Sequence, residues 1–154
     1  MDLATKLQLE TQAMFDHYAE LVRDEAMQTG VIVYRGITFR SSMDIKKKPT
    51  PISGFNYIAV QKVLDIVPDV FGKETYIIHI PGLRIRDGIK RHVAVIKTPT
   101  GQYEIDPTLE EFFVDRSQDI DLSGKKIPRV YGPNDLYPFK IAPNPQIIPY
   151  QRQW

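Results

Sequence analysis

The chain has 154 residues, of which 42% are hydrophobic and 25% charged, proportions that indicate one soluble domain with a sizeable core. Its net charge of +1 argues against nucleic acid or an anionic membrane as the main partner, and no apolar run predicts a membrane span or a signal peptide. The absence of cysteine excludes disulfides and thiolate metal sites, and we expect neither metal nor cofactor in this single domain of residues 1–154.

A long amphipathic helix is predicted over residues 3–28, where apolar side chains recur at helical spacing before Gly30. The residues expected on or near its buried face are Leu3, Leu7, Met14, Tyr18, Leu21 and Val22. His17 lies in this helix without a second ligand at helical spacing. We interpret it as a surface or boundary residue.

Residues 31–40 are predicted to form either one strand with a glycine bulge or two short strands. Within them, Tyr34-Arg35-Gly36 resembles a motif of ADP-ribosyltransferases, in which the arginine binds the NAD phosphates. That family also needs a central serine motif and a late Glu-x-Glu, whereas this chain has Ser41-Ser42 too early and an aspartate at the end of Glu104-Ile105-Asp106. An ADP-ribosyltransferase that uses Arg35 and Glu104 is therefore kept as the least favoured alternative.

A second, short and largely buried helix is predicted over residues 54–67, ended by Pro68. Its apolar stripe comprises Phe55, Ala59, Val63 and Ile66. The lysines at 46–48 form a basic loop before it, which is typical of a solvated surface. Ser53 directly precedes the helix, and serine is a preferred helix N-cap residue.

A strand over residues 74–80 carries His79, which we interpret as structural, and residues 91–108 then have the pattern of a β-hairpin. One apolar side of the hairpin comprises Val93, Val95, Tyr103 and Ile105. Pro99 suits the first corner of a type I turn and Gly101 a left-handed bulge position, which favours a three-residue loop.

The length of that loop decides whether His92 and Asp106 lie on one face of the hairpin. A loop with an odd number of residues places them on the same face, whereas a slip of one residue places them on opposite faces. A carboxylate beside an imidazole fixes its tautomer and leaves the other ring nitrogen to act as a base. The alternative is an ordinary polar pair at the edge of a sheet.

This hairpin resembles an element of papain-like and transglutaminase-like thiol enzymes, a superfamily that includes arylamine N-acetyltransferases, protein glutaminases and bacterial effector and toxin domains. The residues that carry the resemblance are His92-Val93-Ala94-Val95, Gly101 and Tyr103-Glu104-Ile105-Asp106-Pro107-Thr108. They match a histidine that opens a strand, a glycine turn, and a returning strand that ends in Asp-Pro-Thr.

The resemblance implies a nucleophile at the start of the preceding helix, in the order nucleophile, His, Asp. Ser53 lies 39 residues before His92, and Asp106 lies 14 residues after it, which is similar to the spacing in compact members. The N-terminus of a helix lowers a thiol pKa and can hold an oxyanion. Because the family uses cysteine and serine is a weaker nucleophile, one hypothesis is that Ser53 replaces a natural cysteine, which a serine codon in the native gene would contradict.

Residues 109–113 are predicted to form a helical turn opened by Asp106-Pro107, which would give the Asp106 carboxylate a competing use as a cap. From about residue 128, repeated prolines predict an irregular tail across the surface. The tail is expected to be anchored by Tyr137, Phe139, Ile147, Ile148 and Trp154. We thus expect an α+β fold, with a mainly antiparallel sheet of four to five strands packed against the long N-terminal helix and the short nucleophile-bearing helix.

The leading hypothesis is an acyl-transfer enzyme, either a protein glutamine deamidase, a protease or a transglutaminase, with Ser53 as nucleophile, His92 as base and Asp106 as its orienter. The expected substrate is a glutamine or peptide amide of a protein, and an effector or toxin domain could also meet a target or immunity protein. Such a domain is expected in the cytoplasm or secreted by a specialised system into a target cell. The alternative from another class is a binding module or pseudoenzyme of the same fold, in which Ser53 only caps a helix.

Overall fold

The helices and strands come from a computed structural model that describes residues 2–40, 55–68, 74–85, 89–109, 114–115, 120–121, 127–138 and 143–151. The helices of this part of the chain are α1 (Leu3–Thr29) and α2 (Asn56–Ile66). The first strands are β1 (Val31–Tyr34), β2 (Ile37–Arg40), β3 (Glu74–Ile85), β4 (Ile89–Thr98) and β5 (Gly101–Ile105). The remaining strands are β6 (Val114–Asp115), β7 (Ile120–Asp121), β8 (Val130–Tyr131) and β9 (Gln146–Pro149).

A five-stranded antiparallel sheet in the order β8-β5-β4-β3-β9 forms the centre of the fold. β1 pairs with β2, and β6 with β7, in two separate hairpins. Of the two alternatives for residues 31–40, the two short strands are present, and Arg35 and Gly36 turn between them with positive φ angles of 50° and 78°. Together with the two helices, these strands confirm the predicted α+β class.

The α1 helix has the predicted ends, but its buried face is rotated from the predicted one. The Asp2 side chain accepts a hydrogen bond from the Thr5 amide at 2.7 Å, and Gly30 ends the helix in the left-handed region with φ 67°. The buried stripe is Thr11, Phe15, Ala19, Val22 and Ala26. Of the predicted residues, Val22 is buried and Met14 and Tyr18 pack against the core, whereas Leu3, Leu7 and Leu21 are exposed. The small Ala19 and Ala26 side chains let α1 approach the core closely, and the Phe15 ring packs edge-on against Tyr103 at 5.1 Å.

The α2 helix lies within the predicted range and ends before Pro68, as predicted. Its buried residues are Asn56, Ala59, Val60, Val63 and Leu64. The N-cap position is Phe55, which makes no side-chain cap hydrogen bond. Ser53 itself lies outside the described residues, as do the basic loop at 46–48 and the turn at 86–88.

The central sheet separates two apolar layers. The layer under the helices includes Ile77, Ala94, Ile96, Tyr103, Ile105 and Val130. The opposite layer comprises Tyr76, Ile78, Val93 and Val95, with Tyr137 packed against it. The expectation that Val93, Val95, Tyr103 and Ile105 share one face is therefore wrong.

The reason is the loop of the β4–β5 hairpin. Thr98 pairs with Gly101 and Ala94 with Ile105, which leaves a two-residue loop where three residues were expected. The Thr98 hydroxyl accepts from the Thr100 amide at 3.2 Å and donates to the Gly101 carbonyl at 3.1 Å. Because side chains alternate along a strand, this one-residue difference moves every β5 side chain to the other face.

The C-terminal segment is more regular than the predicted tail. β8 and β9 form the two edges of the central sheet, paired with β5 and β3. Proline is tolerated on an edge strand, and Pro149 ends β9 opposite Tyr76. Tyr137 anchors this segment as expected, Ile147 is exposed, and Phe139, Trp154 and residues 110–113 lie outside the described part of the chain.

Candidate functional site

The first residue of α2 connects that helix to the strand that carries His92. The Asn56 side chain is 3% exposed. Its Nδ2 donates to the His92 carbonyl at 2.8 Å, and its Oδ1 accepts from the His92 amide at 2.6 Å. The start of α2 is therefore fixed against β4 at His92.

The His92 ring lies on the helix side of the sheet. Its centroid is 4.5 Å from the Tyr57 ring, with the two planes tilted by 54°. The residue as a whole is half-buried, and Nδ1 of its imidazole is buried. Alternation along β4 places its neighbours Arg91 and Val93 on the opposite side of the sheet.

Asp106 is fully buried on that opposite side, where it binds Arg91. Its carboxylate accepts from Arg91 Nε at 2.9 Å and Nη2 at 2.5 Å, and neither side chain is exposed. The Tyr137 hydroxyl donates to the same carboxylate at 2.7 Å. Burial of the phenol, with the Asp106 charge beside it, raises the pKa of Tyr137 well above its usual range, so the hydroxyl remains a hydrogen-bond donor at neutral pH.

The predicted contact between the His92 and Asp106 side chains is therefore wrong. The two-residue loop puts the side chains on opposite sides of the sheet, and the Asp106 carboxylate pairs with the residue before the histidine. Sequence reasoning missed Arg91, although a signal was present, since an even loop places residue 91 on the Asp106 side. Arginine also offers two parallel donors, the geometry that a buried carboxylate requires.

The helix start, the histidine strand and the Asp-Pro-Thr segment nevertheless meet at one place. Asn56 Nδ2 lies 3.4 Å from Asp106 Oδ1 as well as bonding His92, and position 53 is three residues before Asn56 in the chain. No side chain among the described residues caps α2. The first N–H groups of a helix have no intrahelical acceptor and carry partial positive charge, which suits them to hold an oxyanion.

Arg35 and Glu104, the pair of the ADP-ribosyltransferase alternative, lie in different surroundings. Arg35 binds Asp65 through Nε and Nη2 at 3.0 and 2.9 Å and donates to the Gln151 carbonyl at 2.8 Å. Glu104 accepts from Gln102 at 3.3 Å. Within the described part of the chain, these hydrogen bonds of Arg35 and Glu104 have no residue in common.

A cavity of about 310 Å³ lies between α1 and the segment that leads into β8. Its lining comprises Gln12, Ala13, Asp16, Ile127, Pro128, Arg129 and Val130. None of these is Asn56, His92 or Asp106. The cavity is thus a separate feature from the meeting point of α2, β4 and β5.

Neither described helix combines the length and apolarity that crossing a membrane requires. No group of three or more histidine, aspartate or glutamate side chains among the described residues is arranged to hold a metal ion. Comparisons of the chain with family models, curated proteins and solved structures give no match.

Proposed function

We propose that this domain is an acyl-transfer enzyme of the thiol type, with position 53 as its nucleophile and His92 as its general base. One observation carries the proposal. Asn56, at the start of α2, bonds both the backbone of His92 and the carboxylate of Asp106. The three segments that the resemblance assigns to one site therefore adjoin each other.

The proposed reaction begins with attack of the position 53 oxygen or sulfur on an amide carbonyl carbon. Its proton passes to His92, and N–H groups at the start of α2 hold the negative charge on the carbonyl oxygen. The C–N bond then breaks, and the amine or ammonia leaves with the proton from His92. Water next attacks the acyl group, His92 takes its proton and returns it to the departing nucleophile, and a carboxylic acid is released.

Asp106 has an indirect role in this proposal. Its bonds to Arg91 and Tyr137 fix the end of β5, and its contact with Asn56 connects that end to the helix start. The His92 ring packs against the Tyr57 ring on α2.

The proposed substrate is a glutamine side chain or a peptide bond of another protein. Both are amides that a nucleophile, a base and oxyanion donors can cleave. A bacterial effector or toxin domain, with a target or immunity protein as partner, is the biological setting that the resemblance favours. The choice between deamidase, protease and transglutaminase depends on whether the leaving group is ammonia or a peptide amine, and on whether water or an amine takes the acyl group.

The test uses the Ser53→Cys variant, in which alkylation by iodoacetamide reports the thiolate at each pH. We expect the thiol to react well below a free cysteine pKa of about 8.5, and a further His92→Ala change to abolish that shift. His17→Ala is the matched control, because His17 is an exposed histidine on α1. A thiol that titrates as a free cysteine, or that is inaccessible, would contradict the proposal.

A non-catalytic binding module of the same fold is the second candidate. The observation that favours it is the occupation of the Asp106 carboxylate by Arg91 and Tyr137, since a triad needs that carboxylate at the imidazole. This candidate predicts that the thiol at position 53 is unaffected by His92→Ala. The alkylation experiment therefore separates the two candidates.

A further inference from the structure

The backbone of His92 has an unusual partner for a residue inside a sheet. The pairing of β4 with β5 ends at Ala94 and Ile105, two residues before it would reach His92. Extended by those two residues, the same register places Pro107 opposite His92, and proline has no N–H to donate. The Asn56 side chain takes this place, since it supplies both the donor and the acceptor that a strand partner would supply.

Asparagine is preferred at the N-cap, where its side chain accepts from its own helix, but Asn56 is the first helical residue after the Phe55 N-cap. Here the amide is turned away from α2 and joins the helix to β4. The next residue, Tyr57, packs its ring against the His92 ring. One turn of helix therefore fixes both the backbone and the ring of the same histidine.

We infer that Asn56 is a positioning residue for His92, and that it acts by holding the backbone of the proposed base against the start of α2, three residues after position 53 in the chain. This inference rests on the proposed function. A base must lie within hydrogen-bond reach of the proton it removes, and a misplacement of about 1 Å can cost on the order of 100-fold in rate. The Asn56 side-chain amide bonds the His92 backbone at two atoms. Loss of this side chain removes both hydrogen bonds between α2 and β4 at His92, where the distance from the proposed base to the nucleophile is set.

The experiment adds Asn56→Ala to the Ser53→Cys protein and measures alkylation against pH. We expect the alkylation rate near pH 6 to fall roughly 10- to 100-fold and the thiol profile to move toward that of a free cysteine. Asn134→Ala, at an exposed asparagine, is the matched control and should leave the profile unchanged. Hydrogen exchange of the His92 amide, which should accelerate in Asn56→Ala alone, reports the loss of the contact directly.

Asn56→Ser keeps the test decisive if Asn56→Ala does not fold, because serine is well tolerated at a helix start but is too short to bond both backbone atoms. An ordinary thiol profile in Ser53→Cys itself would overturn the proposed function, and with it this role for Asn56. A perturbed profile that persists when Asn56 is replaced would overturn the role of Asn56 alone. If Asn56 had only a structural role, its replacement would lower the unfolding temperature without moving the thiol profile. That result would also overturn the role of Asn56 as a positioning residue.

Discussion

The Arg91 guanidinium binds both carboxylate oxygens of Asp106 at 2.5 and 2.9 Å, and neither side chain reaches solvent. The pair joins β4 to the residue that follows β5. Desolvation of two charges is costly. A buried ion pair is therefore tolerated where further hydrogen bonds satisfy its remaining donors and acceptors. Tyr137 and Asn56 provide those bonds.

Removal of one member of the pair should be far more harmful than removal of both. We expect Arg91→Met to lower the free energy of unfolding by about 3–5 kcal/mol, because it leaves the Asp106 charge buried and unpaired. The double variant Arg91→Met/Asp106→Leu should recover much of that loss in urea unfolding. Asp24→Asn, which removes the more exposed partner of the Arg23–Asp24 pair, should cost less than about 1 kcal/mol, and an equal cost at both sites would contradict the account.

Tyr137→Phe tests the hydrogen bond that connects the C-terminal segment to Asp106. The change removes the hydroxyl and preserves the ring, which packs edge-on against Tyr131 at 5.4 Å. A hydrogen bond to a charged group is worth about 1.5–3 kcal/mol, and we expect a loss of this size in urea unfolding. Tyr131→Phe is the control, since its hydroxyl makes no bond to Asp106, and a similar loss in both variants would disprove the specific role of Tyr137.

Gly101→Ala should disrupt the hairpin loop. Gly101 has φ 132°, and an added Cβ would lie 2.3 Å from Pro133 Cγ. Strain and overpacking together should cost roughly 2–4 kcal/mol. Gly36→Ala is the matched control, because Gly36 also has a positive φ of 78° but has nothing within 4 Å of the added atom. Equal thermal shifts in the two variants would show that Pro133 does not restrict this site.

Glu104→Gln should stabilise the protein only at higher pH. Burial, with a smaller contribution from Asp135, raises the pKa of Glu104 from its ordinary value of 4.5, so the folded state favours the protonated carboxyl. The wild-type protein therefore loses stability as the pH rises from the unfolded value through the raised folded one. We expect equal unfolding temperatures below pH 4 and a higher one for Glu104→Gln at pH 7. A gain that is independent of pH would contradict this cause.

The features that depend on neighbouring residues in the chain could be predicted from the sequence. Both helices were predicted from apolar spacing and from their stops at Gly30 and Pro68. The rotated face of α1 could not be predicted in this way, because burial of Phe15 depends on its contact with Tyr103, which is distant in the chain. The strand β9 was also missed, since its pairing with β3 is set by the sheet and its sequence is interrupted by proline.

The site was predicted in part. The sequence indicated that the start of the second helix, His92 and Asp106 lie close together, and Asn56 does connect them. It did not indicate the partner of Asp106, because that depends on whether the hairpin loop contains two or three residues. Hydrogen bonds of the Thr98 side chain accompany the two-residue loop. Glycine at position 101 is compatible with a loop of either two or three residues.

The most direct test of acyl transfer at this site is the reaction of the Ser53→Cys variant with 4-nitrophenyl acetate, followed by mass spectrometry. We predict a burst of nitrophenolate equal to the protein concentration, an acetyl group on the position 53 thiol, and a rate at least ~100-fold lower when His92→Ala is added. The His17→Ala control should react like the parent. Acetylation that falls on surface lysines, or that proceeds at the same rate without His92, would contradict the proposal that His92 and position 53 act together.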